Sequence, residues 1–275
     1  MEKKTEKRSF FQILPPLRLF VFAFAAVMFV VMVCVTAVRA ANDDLTESMV
    51  VMVGNCLLWL VPFVCVPLFQ RWVSDGVYAV AEVFCFFASF LGTIMRFYPN
   101  VWWYDLAMHA LFGYIGGIIG LFIACKLTDV KKVNAAFLIV FCFAVSLTFA
   151  ALWEVFEFSS DRLLGNDAQG LHIPDGEGGY FIDVTDTMED IICNLIGAIV
   201  FTAHMIAYVL SKKSLGIGAL IDDFNRGKAQ KDKDVAAKTS PQPALAAGEG
   251  AEGASEESAE AKVLPARDAD EKKEE

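Results

Sequence analysis

The chain has 275 residues, of which 56% are hydrophobic and only 20% are charged. Its mean hydropathy of +0.49 lies outside the range of soluble globular proteins and indicates a protein largely embedded in lipid. The formal charge of −10 at pH 7 argues against nucleic acid as a partner.

Six apolar segments are long enough, or nearly so, to cross a hydrocarbon core of about 30 Å. They lie near residues 19–38, 49–69, 77–95, 105–125, 135–158 and 186–210. The sequence therefore predicts an all-α integral membrane protein with a six-helix transmembrane domain at 19–210, preceded by a basic N-terminal segment at 1–18. Pro62 and Pro67 are expected to be able to break the second of these helices.

Lysine and arginine are distributed unequally between the two sides of the predicted membrane domain. One side carries Lys3, Lys4, Lys7, Arg8, Arg18, Arg71, Lys126, Lys131, Lys132, Lys212 and Lys213. The other side carries only Arg39, Arg96 and Arg162. Because basic residues accumulate on the cytoplasmic side, we expect a multi-pass protein of the plasma or bacterial inner membrane with both termini in the cytoplasm.

The first segment has two interpretations. Its basic start, its apolar run and the V-R-A before Ala41 are typical of a signal peptide that is cleaved after Ala40. An apolar run of about twenty residues is long for a signal peptide and favours an uncleaved helix. Cleavage would leave five spans in the same orientation.

The fourth segment opens with ionisable residues on the face that is expected to pack against other helices. Asp105 and His109 are four residues apart and therefore share one helix face. The same face continues through Gly113, Gly116 and Gly120, a spacing that lets a neighbouring helix approach closely. The charged face is thus predicted to point away from lipid.

The fifth and sixth segments carry matching polar stripes, which consist of Glu154, Glu157 and Asp161 on the fifth and Asp183, Asp186, Asp190 and Asn194 on the sixth. The fourth and sixth helices are predicted to begin on the outer side of the membrane, and the fifth to end there. We therefore expect all three stripes to lie at one depth, near the outer surface.

Carboxylates gathered around a single histidine in a low dielectric repel one another. A bound cation, carboxyl groups that hold protons, or dispersal into interfacial water would each relieve the repulsion. Oxygen ligands suit Mg²⁺, Mn²⁺ or Ca²⁺, and one histidine also permits Zn²⁺. We expect His109, oriented by Asp105, to act as an acid or base in catalysis. The expected metal ligands are Glu154, Glu157, Asp186 and Asp190, with Asp161, Asp183 and Asn194 in support.

Some of these residues also have simpler explanations. Asp183 and Asp186 lie where an aspartate ordinarily caps a helix N-terminus, and Asn194 could join helices by hydrogen bonding alone. Glu154 and Glu157 lie at a predicted helix C-terminus, where the helix dipole disfavours anions. Capping therefore does not explain this glutamate pair.

The last segment, 211–275, differs in composition from the rest of the chain. The stretch LGIGALIDDF could form a short amphipathic turn at the membrane surface. The stretch TSPQPALAAGEGAEGASEESAEA contains no basic and no aromatic residue and cannot bury enough apolar surface to fold. We predict a disordered cytoplasmic tail, for which the sequence identifies no partner.

The combined spacing of the site motifs resembles that of a known family. Y-D-x-x-x-H, then W-E-x-x-E, then D-x-x-D-T-x-x-D-x-x-x-N-x-x-G, all within about residues 100–200, resemble the YjdF-type bacterial inner-membrane proteins. The pattern is more distantly similar to the VanZ-like family, named for a teicoplanin-resistance protein. The resemblance implies a small polytopic membrane protein and does not imply an activity.

Three functional hypotheses follow from the residues. The first is an enzyme whose cation or carboxylate site processes a lipid-linked or cell-envelope substrate, with phosphoester hydrolysis or transfer as the reaction class. The alternatives are a non-enzymatic carrier coupled to protons or cations, and a packing scaffold. Transporters often show internal repeats and broken helices at the membrane midplane. The absence of a clear sequence repeat and the position of the stripes near one surface favour the enzyme.

Overall fold

The computed structural model describes residues 16–45, 48–69, 73–164, 168–169, 173–174, 180–181 and 184–225, and helices dominate this part of the chain. In chain order these are α1 (Pro16–Ala41), α2 (Met49–Leu58), α3 (Val61–Phe69), α4 (Asp75–Cys85), a π-helix (Phe86–Ile94), α5 (Phe97–Asn100), α6 (Tyr104–Leu127), α7 (Ala135–Leu164), α8 (Thr185–Ser211) and α9 (217–225). Two short strands, β1 (Ile173–Pro174) and β2 (Tyr180–Phe181), pair antiparallel between α7 and α8. Asp183, Arg71, His172 and the segments 1–15 and 226–275 lie outside the described residues.

Five of the described helical segments are long and apolar enough to cross a membrane: α1, α4 together with the π-helix, α6, α7 and α8. The pair α2 and α3 meets the same criteria only when it is taken as one span, bent by 40°. The break lies just before Pro62, which cannot donate a hydrogen bond to the carbonyl of Leu58 and whose ring crowds that carbonyl. The predicted count of six spans therefore depends on this bent pair.

Helices α6, α7 and α8 form a closely packed group because glycines line α6. A Cβ atom on Gly113 would overlap the backbone carbonyl of Asn194, and one on Gly197 would overlap the carbonyl of Ala110. On the other side of α6, Gly116 lies against Ser146. The prediction that the glycine face of the fourth segment is its packed face is confirmed.

The order of these contacts fixes the helix directions. Along α6 and α8, Gly113 meets Asn194 and Gly117 meets Phe201, so the two helices run parallel. Along α7 the order is reversed, since Gly116 meets Ser146 and Gly120 meets Cys142. We use the term "site end" for the end of the group at which α6 and α8 begin and α7 ends.

At the opposite end, α9 packs into the core. Its buried residues Ile217, Ile221 and Phe224 join a cluster with residues of α6, α7 and α8. The Lys126 ammonium donates to the carbonyl of Phe224, and His204 Nε2 lies 2.7 Å from the carbonyl of Leu215. The sequence assigned these residues to a disordered tail starting at 211; that boundary is wrong, because apolar burial holds residues 217–225 in a helix.

Candidate functional site

The acidic stripes of α6, α7 and α8 converge at the site end. Asp105 and His109 lie in the first two turns of α6, and Asp186 and Asp190 lie in the first two turns of the parallel helix α8. Helix α7 runs antiparallel and reaches the same level late in its course, which brings Glu154 and Glu157 beside them. We use the term "His109 cluster" for Asp105, His109, Glu154, Glu157, Asp186 and Asp190.

His109 lies at the centre of the cluster. Its Nε2 atom is 3.5 Å from Asp105 Oδ1 and 3.5 Å from Asp190 Oδ2, and its Nδ1 atom is 3.7 Å from Glu154 Oε1. His109, Glu154 and Asp190 are all buried, and Asp190 is only 1% exposed. Three of the carboxylates that the sequence expected at one depth, those of Asp105, Glu154 and Asp190, thus lie within 3.7 Å of His109.

Asn194 determines which nitrogen of His109 carries the proton. Its Nδ2 atom donates to the backbone carbonyl of Asp190 at 3.0 Å and lies 2.9 Å from His109 Nδ1. A carbonyl oxygen can only accept a hydrogen bond, so the amide nitrogen and not the amide oxygen occupies this position. His109 Nδ1 therefore accepts from Asn194, and the imidazole is neutral with its proton on Nε2, facing Asp105 and Asp190.

The cluster contains two groups of donor atoms suited to a cation. His109, Glu154, Glu157 and Asp190 each offer one atom, and these atoms lie within 4.8 Å of one another. The carboxylate oxygens of Asp105, Asp186 and Asp190 also lie within 4.8 Å of one another and form a second group. The four ligands predicted from the sequence are thus divided, with Asp186 in the second group and Asp190 in both.

Several oxygens in the His109 cluster and on the neighbouring Asn194 lack a hydrogen-bond partner among the described residues. Within the described part of the chain, both carboxylate oxygens of Glu154, Oδ1 of Asp190 and Oδ1 of Asn194 are buried without a hydrogen bond. No lysine or arginine among the described residues is within ion-pair distance of the five carboxyl groups. Buried polar atoms are ordinarily satisfied, so these oxygens indicate a ligand, a proton or water.

A cavity of about 40 Å³ reaches the cluster from the side of α4 and the π-helix. Asp105, His109 and Glu157 form its polar wall, while its other walls consist of Phe84, Ala88, Tyr98, Met108, Phe112 and Trp153. This volume suits a cation with one or two waters but not a larger molecule. Burial raises the pKa of the Tyr98 hydroxyl, and the nearby Asp105 adds to the effect. Tyr98 therefore stays protonated.

An aromatic row connects this cavity with the outer surface of α7. The ring centroids of Phe84 and Phe112 are 5.8 Å apart, those of Phe112 and Trp153 5.6 Å, and those of Trp153 and Phe156 5.3 Å. Phe156 is exposed on the apolar face of α7. The indole of Trp153 donates to Glu157 Oε1 at 2.8 Å, so the row also positions a member of the cluster.

Asp161, predicted as a supporting residue, belongs to neither donor group of the described residues. Its carboxylate accepts from the backbone N–H groups of Ala168 at 2.7 Å and Gln169 at 3.0 Å. The Gln169 side chain in turn donates to Thr187 Oγ1 at 2.8 Å. The role of Asp161 is therefore to hold the chain after α7 against the start of α8.

The sequence placed Trp153 in the W-E-x-x-E motif without giving it a role, and it gave no indication of Tyr98. The role of Trp153 could have been inferred, because it lies four residues before Glu157 and so shares its helix face. Tyr98 gave no such signal, since it reaches the cavity through the turn between the π-helix and α6. Near the opposite end, His204 Nδ1 lies 2.7 Å from the hydroxyl of Tyr114.

Comparison with known proteins gives one match. The model of the family described as "Predicted membrane protein (DUF2238)" matches residues 20–211, a range that includes all six residues of the His109 cluster. Searches of curated proteins and of solved structures gave no match. The chain, with its apolar helices and their buried acidic cluster, belongs to the DUF2238 family of membrane proteins.

Proposed function

We propose that the His109 cluster is a divalent-cation site of a membrane enzyme that acts on a lipid-linked or cell-envelope substrate. The observation that carries the proposal is the burial of Glu154 and Asp190 in one donor group with oxygens that, in the described structure, lack a hydrogen bond. An ionised carboxylate buried without a partner is strongly unfavourable, and a cation removes that cost. Mg²⁺, Mn²⁺, Ca²⁺ and Zn²⁺ all suit these ligands.

The tautomer of His109 supports a role in proton transfer. Nε2 carries the proton and faces the carboxylates of Asp105 and Asp190, which hold the ring and stabilise positive charge on it. His109 can take up a second proton only at Nδ1, after Asn194 releases that atom, and the resulting imidazolium can donate its Nε2 proton to a leaving group. A divalent cation would supply Lewis-acid chemistry, for which phosphoester hydrolysis or transfer is the best-matched reaction class.

Access from the lipid phase supports a lipid-linked substrate. The cavity beside His109 is bordered mostly by apolar side chains, and the aromatic row leads from it to exposed Phe156 on α7. A polar head group could approach the cluster along this row while its apolar chain stays in lipid. The cavity of about 40 Å³ has room only for the reacting atoms of such a substrate.

We place the site end on the outer side of the cell membrane, with α2 and α3 forming one bent span and both termini in the cytoplasm. The excess of lysine and arginine on the opposite end supports this orientation. The resemblance of the site motifs to YjdF-type proteins, and more distantly to the VanZ-like family, agrees with a small polytopic inner-membrane protein.

The second hypothesis, a carrier coupled to protons or cations, needs a polar route from the site end to the opposite end. Beyond Asn194 the packed face of α8 presents Ala198, Phe201 and Met205, all buried and apolar. The next polar contact on that face is His204 with Tyr114. This apolar stretch favours an enzyme that works at one surface.

Elemental analysis of the purified protein in detergent tests the proposal. We expect at least one divalent metal ion per chain, and a loss of at least one in Glu154→Gln. Glu82→Gln is the matched control, because Glu82 is also buried and, within the described structure, without a hydrogen-bond partner, yet belongs to neither donor group. A metal-free protein after exposure to all four cations, folded normally, would overturn the proposal.

A further inference from the structure

We propose that the His109 cluster binds two divalent cations that share Asp190 as a bridging ligand. The inference rests on the proposed cation site and adds a second ion to it. It starts from the division of the cluster into two donor groups, one with Glu154 and Glu157 and one with Asp105 and Asp186. Asp190 is the single residue common to both.

Asp190 has the geometry that a bridging ligand needs. Its side chain is 2% exposed, and its Oδ2 atom faces His109 Nε2 at 3.5 Å. Its Oδ1 atom is buried and, among the residues described, has no hydrogen-bond partner. A bridging carboxylate uses one oxygen for each metal, so the free Oδ1 is the atom that a second cation would engage.

The charge of the cluster, when its carboxyl groups are ionised, also favours a second cation. It contains five carboxyl groups, and His109 is neutral because its Nδ1 accepts from Asn194. With all five ionised, one divalent cation would leave three uncompensated negative charges inside the bundle. Two would leave one, which is close to the balance that a low-dielectric site demands.

The two sites differ in depth. The first takes its carboxylate donors from α7 and α8 and includes the buried Glu154. The second takes donors only from the first two turns of α6 and α8, and the Asp105 side chain is 32% exposed. The second cation therefore lies nearer to the aqueous surface. It exchanges with ions in solution more readily than the first cation does.

A pair of cations specifies the chemistry more closely than a single one. In two-metal sites the ions stabilise both the attacking and the leaving oxygen of an in-line displacement at phosphorus. The substrate class that fits is a phosphate or pyrophosphate ester whose apolar part stays in the lipid phase. The bond that breaks joins phosphorus to the leaving oxygen, and water or an acceptor hydroxyl forms the new bond to phosphorus. The proton that this water or hydroxyl releases passes through the carboxylates of the cluster to the leaving oxygen.

Manganese stoichiometry tests the inference. The purified full-length protein is stripped with a chelator, loaded with Mn²⁺, passed through gel filtration and assayed for bound metal and for spin coupling between ions. We expect two coupled Mn²⁺ per chain in the unaltered protein, and one uncoupled ion in both Asp186→Asn and Glu154→Gln. Asp161→Asn is the control and should retain two, because its carboxylate holds backbone N–H groups outside both donor groups.

The outcomes separate the two proposals. One Mn²⁺ per chain in the unaltered protein, unchanged in Asp186→Asn and lost in Glu154→Gln, would overturn the two-cation inference and leave the proposed function standing. No bound Mn²⁺ or other divalent metal in the folded protein would overturn both. Asp105→Asn removes another ligand of the second site. If Asp186→Asn does not fold, the number of bound Mn²⁺ ions is measured in Asp105→Asn instead.

Discussion

Asn194 on α8 determines which ring nitrogen of His109 on α6 carries the proton. It is fully buried, and its amide nitrogen bonds the backbone of Asp190 and the ring of His109 simultaneously. An aspartate or a leucine would fit the same space but could not donate both bonds. Sequence spacing predicted a supporting role for Asn194, whereas the tautomer that it imposes is visible only in three dimensions.

We predict that Asn194→Asp places a proton on Nδ1 of His109. The change replaces a donor by an acceptor, so Nδ1 must carry a proton to satisfy the new carboxylate. The ¹⁵N chemical shifts of the imidazole distinguish protonated from unprotonated ring nitrogens and provide the measurement. His204 is an internal reference, since the hydroxyl of Tyr114 and the carbonyl of Leu215 hold its ring.

Asn55→Asp is the matched control for this experiment. Asn55 accepts a hydrogen bond from Ser89 at 2.6 Å, in the part of the molecule built from α2 and the π-helix. The substitution should leave the resonances of His109 unchanged. Identical His109 spectra in the unaltered protein and in Asn194→Asp would show that Asn194 does not determine the proton position.

At the scale of elements, the site depends on how closely α8 approaches α6. Gly197 lies against the backbone of Ala110, one residue after His109, and Gly113 lies against the backbone of Asn194. Backbone contact of this kind fixes the distance between His109 and Asp190 more rigidly than side-chain packing does. The glycines are therefore part of the site although they carry no donor atoms.

Gly197→Ala should destabilise the protein by about 1–3 kcal/mol, because its Cβ atom would overlap backbone that cannot move aside. Thermal unfolding in detergent provides the measurement. Gly54→Ala is the control, since a Cβ atom there meets nothing within 4 Å, and alanine has the higher helix propensity. Equal unfolding temperatures for Gly197→Ala and the unaltered protein would contradict the close contact between Gly197 and the backbone of Ala110.

The long helices could be predicted from the sequence because their apolar runs and their 3.6-residue periodicity are local properties. The predicted segment at 105–125 corresponds to α6 (Tyr104–Leu127), and the stripe from Asp105 to Gly120 faces the partner helices. Other elements depend on tertiary contacts and could not be predicted. The π-helix carries no distinctive residue pattern, and α9 is stabilised by burial of Ile217 and Phe224.

At the scale of the whole molecule, the account depends on the orientation of the site end. We predict that a membrane-impermeant maleimide labels Trp102→Cys in intact cells and labels Lys132→Cys only after lysis. Trp102 is 85% exposed near the site end, and the Lys132 side chain is 84% exposed at the opposite end. Cells with the unaltered chain show the background from native cysteines. The reverse labelling pattern would place the site in the cytoplasm.

The positions of the cluster residues were predictable from the sequence to a large extent, while their roles were not. Helical spacing placed Asp105, His109, Glu154 and Asp190 at one depth, and the structure brings them within contact. The division into two donor groups could not be predicted, because it depends on the rotation of α7 relative to α8. Residues of other elements, such as Tyr98 on α5 and Phe84 on α4, complete the cavity only after the helices pack.

The central claim is that the His109 cluster holds a divalent cation, and an experimental structure of the Mn²⁺-loaded protein tests it most directly. The account predicts an anomalous scattering peak between Glu154, Glu157 and Asp190, about 2.0–2.6 Å from the carboxylate oxygens. The same density should be absent from Glu154→Gln crystals grown under identical conditions. Well-ordered carboxylates surrounding only water, with no anomalous peak in the loaded protein, would contradict the account.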